Sequence, residues 1–378
     1  MFSFVNKINL KLGNFHLIFL LIYSLLGIFI LIGLIIHFKK EKKESKLNTN
    51  KFDLNELTVL VPFRNEKYNL TQLIDSIQKQ SQFPSQFIFI DDHSTDDGKD
   101  EIQKLNNSIP CQLISLPIDQ QGKKSAIRKG IQLVNTKYIL TLDADVVFSS
   151  NYFKSLQDIE EVDMVILPVI MKGEGSIERF FELDFSLSNA INTSISTFNR
   201  PFIACGANLL FKKDSFLQFD SYENHKKTAS GDDVFLLRDF QKSNCLIKIE
   251  TRKTTAVYTK APSSIMAFLY QRLRWISKGG EVNDYLSNLI VVLAGLSHFA
   301  FMIGFILIVQ EKKWLQLFEF ILIKSLIEII IFYLYFKNIG RLKTLLLLPF
   351  STIVYPIYIL TLLILSYFIQ IKWKDRVV

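Results

Sequence analysis

The sequence predicts an α/β domain with a mostly parallel, doubly wound sheet, flanked by apolar helices long enough to cross a membrane. Three observations carry this expectation. The apolar residues gather near the two ends of the chain, leaving a mixed-composition middle of roughly 230 residues, enough for one sizeable core. That middle alternates short apolar strands with amphipathic helices, the pattern of parallel sheets. Finally, its polar clusters Arg64-Asn65-Glu66, Asp91-Asp92 and Asp143-Ala144-Asp145 all fall where predicted strands end, and open α/β sheets bind ligands beyond those ends.

Composition narrows the class. Of 378 residues 49% are hydrophobic and mean hydropathy is +0.23, high for a soluble domain and pointing to membrane segments. The net charge of +8 is no sign of nucleic-acid binding: the densest basic run, Lys39-Lys40-Glu41-Lys42-Lys43, abuts an apolar segment, and no recognition motif accompanies it. Cys111, Cys205 and Cys245 show neither paired nor metal-ligand spacing, which fits packing residues in a reducing compartment.

The first element is the apolar run 15–38, about 24 residues without Asp, Glu, Lys or Arg. It is too long for a signal-peptide core and lacks a small-residue cleavage site, so it predicts a retained transmembrane helix. The lysines after it place its C-terminal end in the cytoplasm, here the side of a bacterial inner membrane to which an Ile-, Lys-, Asn- and Phe-rich composition points. Residues 39–56 read as a basic linker. The domain itself spans 57–262. Within it Thr58 to Phe63 reads as a strand, and Asn69 as the cap of a helix with Leu70, Leu73, Ile74 and Ile77 on one face. A strand from Phe87 to Ile90, a helix reaching Leu105, a strand from Cys111 to Leu116, a helix from Lys123 to Val134 and a strand from Tyr138 to Leu142 follow. Residues 263–286 predict an amphipathic helix in the membrane interface, with Ile265, Phe268, Leu269 and Ile276 on its apolar face. Three further spans are expected at 288–310, 317–337 and 345–370. The second carries Lys324 and Glu328 four residues apart, close enough to pair or to line an acceptor path. The last contains Pro349 and Pro356, which predict a kink or a re-entrant start. Counted from a cytoplasmic domain, the loop Lys337 to Lys343 lies inside, whereas the basic tail Lys372 to Arg376 lies outside unless the last segment is re-entrant.

Chemistry attaches to five clusters. Asp143 and Asp145 flank Ala144 at a strand end, so both carboxylates can turn to one point. Two carboxylates plus phosphates suit Mg2+ or Mn2+, hard ions that prefer oxygen. A solvated acidic turn is the plainer account, but the strands on either side favour a site. Asp91 and Asp92 end the second strand. Capping explains the Ser94 to Asp97 run that follows, yet does not require two acids, so one of them is read as an acceptor for a base or ribose. Gly122-Lys123-Lys124 opens a helix, where backbone N–H groups and ammonium groups favour phosphate; it lacks the glycine spacing of a P-loop, and a solvated basic helix start accounts for it nearly as well. Gly231-Asp232-Asp233 heads another helix; its acids either answer the helix dipole or take a proton from an acceptor hydroxyl. Gln271 and Arg274, three residues apart, share a face of the interfacial helix with Trp275 beside them.

Together, Val61-Pro62-Phe63-Arg64-Asn65-Glu66, Asp91-Asp92-His93-Ser94, Asp143-Ala144-Asp145, Gly231-Asp232-Asp233 and Gln271-Arg272-Leu273-Arg274-Trp275, in this order, resemble family 2 glycosyltransferases. The resemblance covers roughly residues 57 to 280. It is strongest to the membrane branch that includes cellulose, chitin, hyaluronan and poly-N-acetylglucosamine synthases and ceramide glucosyltransferases. It implies a GT-A fold and an inverting displacement on a UDP-sugar. Pro62, Arg64, Glu66, Asp91, Asp92, Lys123, Asp143, Gln271 and Arg274 would bind the donor, and Asp143 and Asp145 the metal. Asp233 would be the base, with Asp232 standing where the family usually has Glu. Trp275 would stack on the acceptor, and Asn208, in the segment Cys205 to Asn208, would line its mouth. The acceptor implied is a lipid, lipid-linked sugar or glycan; single transfer to lipid is the leading expectation and processive polymer synthesis the alternative.

Overall fold

A computed structural model describes residues 15–47, 52–105, 109–220, 232–281, 285–368, 372–373 and 376–377. Among these described residues ten strands lie in the domain: β1 Leu57–Phe63, β2 Gln86–Asp91, β3 Cys111–Ser115, β4 Tyr138–Leu142, β5 Val147–Phe148, β6 Met164–Ile166, β7 Val169–Lys172, β8 Asn208–Lys212, β9 Ile247–Ile249 and β10 Val257–Lys260. Seven form one sheet in the order β3-β2-β1-β4-β8-β6-β9. Only β8 runs against the rest, pairing antiparallel with β4 and β6. A second sheet, β5-β10-β7, stands beside it.

Strict alternation builds the two faces of the large sheet. Val59, Val61, Phe87, Phe89, Leu140 and Leu142 point to one side, where Leu70, Leu73 and Ile77 cover them. Leu60, Ile88, Ile90 and Ile139 point to the other, under Ala126, Ile127, Ile131 and Phe240. Strands covered on both faces read as unbroken apolar runs, which is why β1 is buried along its whole length. Each such aliphatic or aromatic side chain contributes roughly 1.5–3 kcal/mol on burial.

The helices are α1 Phe15–Leu47, α2 Lys67–Gln78, α3 Gly98–Ile102, α4 Lys123–Ile131, α5 Tyr152–Leu156, α6 Ser176–Ser196, α7 Lys213–Phe219, α8 Asp232–Lys242, α9 Ile265–Glu281, α10 Tyr285–Gln310, α11 Trp314–Asn338 and α12 Leu348–Phe368. Several differ from expectation. The basic stretch after residue 38 is not a loose linker: α1 continues to Leu47 and docks on the domain, Glu41 accepting from Thr251 N and Oγ1 at 2.7 and 2.6 Å and Glu44 pairing with Lys248 at 3.1 Å. Glu66, not Asn69, occupies the cap position of α2; the Asn69 amide donates instead to Glu66 Oε2 at 2.6 Å. No Ser94 capping box forms, because Ser94 Oγ accepts from Asn65 N at 3.0 Å and α3 starts four residues later. The helix from Lys123 ends at Ile131, three residues short of Val134.

Two helices, His16–Glu44 and Leu342–Ser366 (the latter including a 3-10 turn), are long and apolar enough to cross a membrane by length and composition, and Gly295–Gln310 is a shorter apolar stretch. α11 carries Glu319, Lys324, Glu328 and Lys337, and the pair expected in it forms: Lys324, 1% exposed, lies 2.5 Å from Glu328, which also accepts from Tyr23 of α1 and Thr352 of α12. α12 is one continuous helix with Pro349 in its first turn, where no backbone N–H is needed, and Pro356 inside. The ends of these helices sort into two groups. His16 meets Gln316 at one end; at the other, Glu41, Asn338 and Arg341 touch the domain through Thr251 and Glu182. The loop after α11 therefore lies on the domain's side.

Candidate active site

The parallel register brings the acidic strand ends level. Phe63 is abreast of Asp91, and Leu60 is abreast of Thr141, so the residues after β1 stand beside Asp143 and Asp145. The first two loops are laced to each other. Asn65, held at φ 54°, accepts from Thr95 N at 2.7 Å, and Lys67 N donates to Asp96 at 2.9 Å. His93, at φ 57°, reaches the Gln120 carbonyl at 2.9 Å. Left-handed backbone at two non-glycine residues on one rim is strain that the surrounding bonds must hold in place.

Asp91 is buried, and burial works against its charge. Hydrogen bonds from Lys99, 2.8 Å away, and from Ser94 outweigh that and hold its carboxyl below the usual range. Asp92 accepts from Gly122 N at 3.0 Å. Gly122 sits at φ 91°, a conformation that suits glycine, and this turn points α4 so that Lys123 meets Asp143 at 2.5 Å. Pro62 and Asn208 do not open onto the rim as expected. Pro62 is buried in β1. Asn208 is 0% exposed, and its amide is committed to Tyr152, Pro168 and Thr255 at 2.6, 2.9 and 3.2 Å, leaving no edge for an acceptor.

Asp145 receives the Thr259 hydroxyl at 3.2 Å. Although it stands at the solvent edge, desolvation by its surroundings, followed by the charges of Asp143 and Glu66, pushes its carboxyl up to about 6. Asp143 and Glu66 both act on Asp145, and Lys123 pairs with Asp143; a cation would relieve the repulsion between the acids. Among the described residues no group of three or more His, Cys, Asp or Glu is placed to hold a metal ion. Two carboxylates fit Mg2+ or Mn2+ when phosphate oxygens and water fill the other positions.

Asp233, in the first turn of α8, accepts from Gly206 N at 3.1 Å. Neighbouring Cys205 is pushed up to about 12 by burial, then by Asp233, then by Asp143, so both carboxylates act on one buried thiol. The two acids thus share a neighbourhood. Gly231 and the side chain of Asp232 lie outside the described residues.

Gln271, Arg274 and Trp275 lie on α9, which follows β10, the strand that carries Thr259 to Asp145. The Gln271 Oε1 is buried without a hydrogen-bond donor among the described residues, a demand that a ligand could meet. Three residues absent from the sequence reading complete the surroundings: Thr259, Lys99 and, behind α9, Asp184. Asp184 pairs with Arg272. An acid between Leu183 and Phe185 in an apolar helix is the one sequence signal that pointed to a buried partner.

Residues 58–219 match the family model "Glycosyl transferase family 2". The chain carries a family 2 glycosyltransferase domain. Among curated relatives, it is 24% identical over 285 residues to poly-beta-1,6-N-acetyl-D-glucosamine synthase from Staphylococcus epidermidis, covering 70% of this chain and 65% of that protein. It is 21% identical over 286 residues to the synthase of the same name from Staphylococcus aureus strain COL, covering 73% and 67%. Among solved structures, the mannosyltransferase PcManGT from Pyrobaculum calidifontis, in complex with GDP-Man and Mn2+, superposes with a TM-score of 0.51 at 12% identity, covering 92% of this chain and 98% of that one. The α/β fold class expected from sequence, a GT-A domain flanked by apolar helices, is borne out. The family 2 domain binds its motifs to that fold as follows: the acid pair ends the fourth strand, and β5, the next strand, already belongs to the second sheet.

Proposed function

We propose that the chain is an inverting glycosyltransferase that moves a hexosyl or N-acetylhexosaminyl group from a UDP-sugar to a lipid or lipid-linked acceptor at a membrane, with the domain on the cytoplasmic face of a bacterial inner membrane. The observation that carries this is the convergence of Asp143, Asp145 and Lys123 at the strand ends with Asp233 beside them. Asp91 or Asp92 receives the base or ribose, with Arg64 and Glu66 on the same rim. Lys123, Gln271 and Arg274 hold the diphosphate. Asp143 and Asp145 would hold Mg2+ or Mn2+, which would supply positive charge to offset the charge developing on the leaving diphosphate. Asp233 takes the proton of the acceptor hydroxyl as that oxygen forms its bond to the anomeric carbon, and the diphosphate departs with the bonding pair on the opposite side. Trp275 offers a flat apolar face to the acceptor.

Processive polysaccharide synthesis is the second reading, favoured by the poly-N-acetylglucosamine synthases among the relatives. Donor screening by UDP release, with the purified chain in nanodiscs and with Mn2+ or Mg2+, tests the proposal. Lipids carrying one added sugar are expected by mass analysis. A long polymer formed from donor alone favours the second reading, and no UDP release with any donor overturns both.

A further inference from the structure

Behind the Gln271–Trp275 face, α9 buries a charge with no role in the scheme above. Arg272 is 6% exposed, and its guanidinium pairs with Asp184 of α6, itself 4% exposed. The guanidinium carbon lies 4.2 Å from the Trp275 ring centre, 5.0 Å from that of Phe268 and 6.0 Å from that of Phe185. Asp184 has a second partner, the hydroxyl of Tyr355 in α12, and the Tyr355 ring packs against His298 of α10 at 5.1 Å. One carboxylate thus joins the interfacial helix, the domain and α12, and the Tyr355 ring carries the contact on to α10.

A planar cation stacked on an indole fixes more than distance. It takes up one face of the ring and leaves the other for a ligand. Trp275 is half-buried, with Phe185 tilted against it at 5.8 Å, so its plane is set by Arg272 on one side and Phe185 on another. Arginine cannot shed its proton, so the cation holds this position only while a buried anion compensates it. Removing the anion leaves a bare charge under the indole, and the cheapest relief is for Arg272 to swing toward water, releasing the ring.

We propose that Asp184 is a positioning residue: through Arg272 it sets the plane of the Trp275 indole, and through Tyr355 it makes acceptor engagement depend on the packing of α12. Its kinetic consequence rests on the reading of Trp275 as the acceptor platform; its spectroscopic consequence does not. The chain has three tryptophans, so a Trp314→Phe, Trp373→Phe background leaves Trp275 as the sole emitter. In the full chain in nanodiscs, Asp184→Asn is expected to red-shift Trp275 emission and about double its acrylamide quenching. It is also expected to raise the acceptor KM about tenfold while leaving the donor KM within about twofold. Asp184→Glu should recover part of both effects, and Tyr355→Phe should show the same signature more weakly. Unchanged emission in an Asp184→Asn protein that keeps its wild-type melting temperature overturns the proposal. So does a loss of kcat with both KM values unmoved, which is what a merely structural role gives. If Asp184→Asn does not fold, Tyr355→Phe decides alone, and wild-type emission and acceptor KM there overturn it. Should the wild-type chain transfer no sugar at all, the functional reading fails while the emission arm still decides the positioning role.

Discussion

The donor rim and the seam beneath the helices use the same residue types in opposite ways. On the rim, desolvation raises Asp145 and the charges of Asp143 and Glu66 raise it further, while Lys123 pairs with Asp143. Along the seam, each buried acid is matched to cations and hydroxyls. Glu182 takes a two-pronged pair from Arg341 and further bonds from Thr344 and Gly173, and Asp184 takes Arg272 and Tyr355. The acids proposed to hold the metal are left for it to neutralise; the seam acids, which face another part of the chain, are balanced within the fold. The first arrangement costs stability for function, and the second holds the helices to the domain.

The sharpest way to break this comparison is to remove rim acids and watch activity. Asp233→Asn and Asp143→Asn are each expected to lower UDP release by about a hundredfold or more, from the usual contribution of a general base or a ligand to developing charge. Their melting temperatures should fall less than that of a seam variant, since the Lys123–Asp143 pair is partly exposed and an Asn at 233 can still accept from Gly206 N. Near-wild-type release in both variants would move the site elsewhere. The seam predicts the reverse. Glu182 is fully buried, and Glu182→Ala strands Arg341 and Thr344, so it should destabilise by about 3 kcal/mol, the low end for a broken buried pair because Arg341 keeps some water contact. Thermal unfolding in detergent reads this directly, and an unchanged midpoint would show that the seam does not hold the helices.

The two regions also differ in how far the sequence discloses them. The rim is legible because its geometry is local: an apolar run of four to six residues followed at once by acids already places a carboxylate at a strand end. The strands β1, β2 and β4 were anticipated to within a residue or so at either end, and β4 at both. The seam is opaque for the opposite reason. Glu182 meets Arg341 and Asp184 meets Tyr355 more than 150 residues away along the chain, and no periodicity encodes such a pairing. Asn208 shows the matching failure in the other direction. Its place in a segment resembling an acceptor mouth suggested a ligand contact, whereas three bonds to distant residues bury it. The strands β6 to β10 were not anticipated, and the antiparallel direction of β8 is something an apolar run does not encode.

The smallest effect is the most diagnostic of the contrast. Desolvation and two neighbouring acids raise Asp145 to about 6 in the folded protein, against an ordinary value near 3.9. As pH rises from about 4 to about 6, the unfolded chain releases this proton while the folded one still holds it. The folded state therefore loses stability through that window, and the cost is complete above about pH 6. Asp145→Asn removes the cost, so with chelator present it should unfold at a slightly higher temperature than wild type at pH 7.5 and at the same temperature at pH 4. A catalytic-rim substitution that stabilises only where the acid is ionised is the mark of charge kept in excess. Adding Mn2+ should then raise the wild-type midpoint at pH 7.5, since a ligand that binds only the folded state stabilises it, and should move that of the variant less. If the variant is less stable than wild type at pH 7.5 without metal, Asp145 is balanced within the fold like the acids of the seam, and the distinction between the two regions falls.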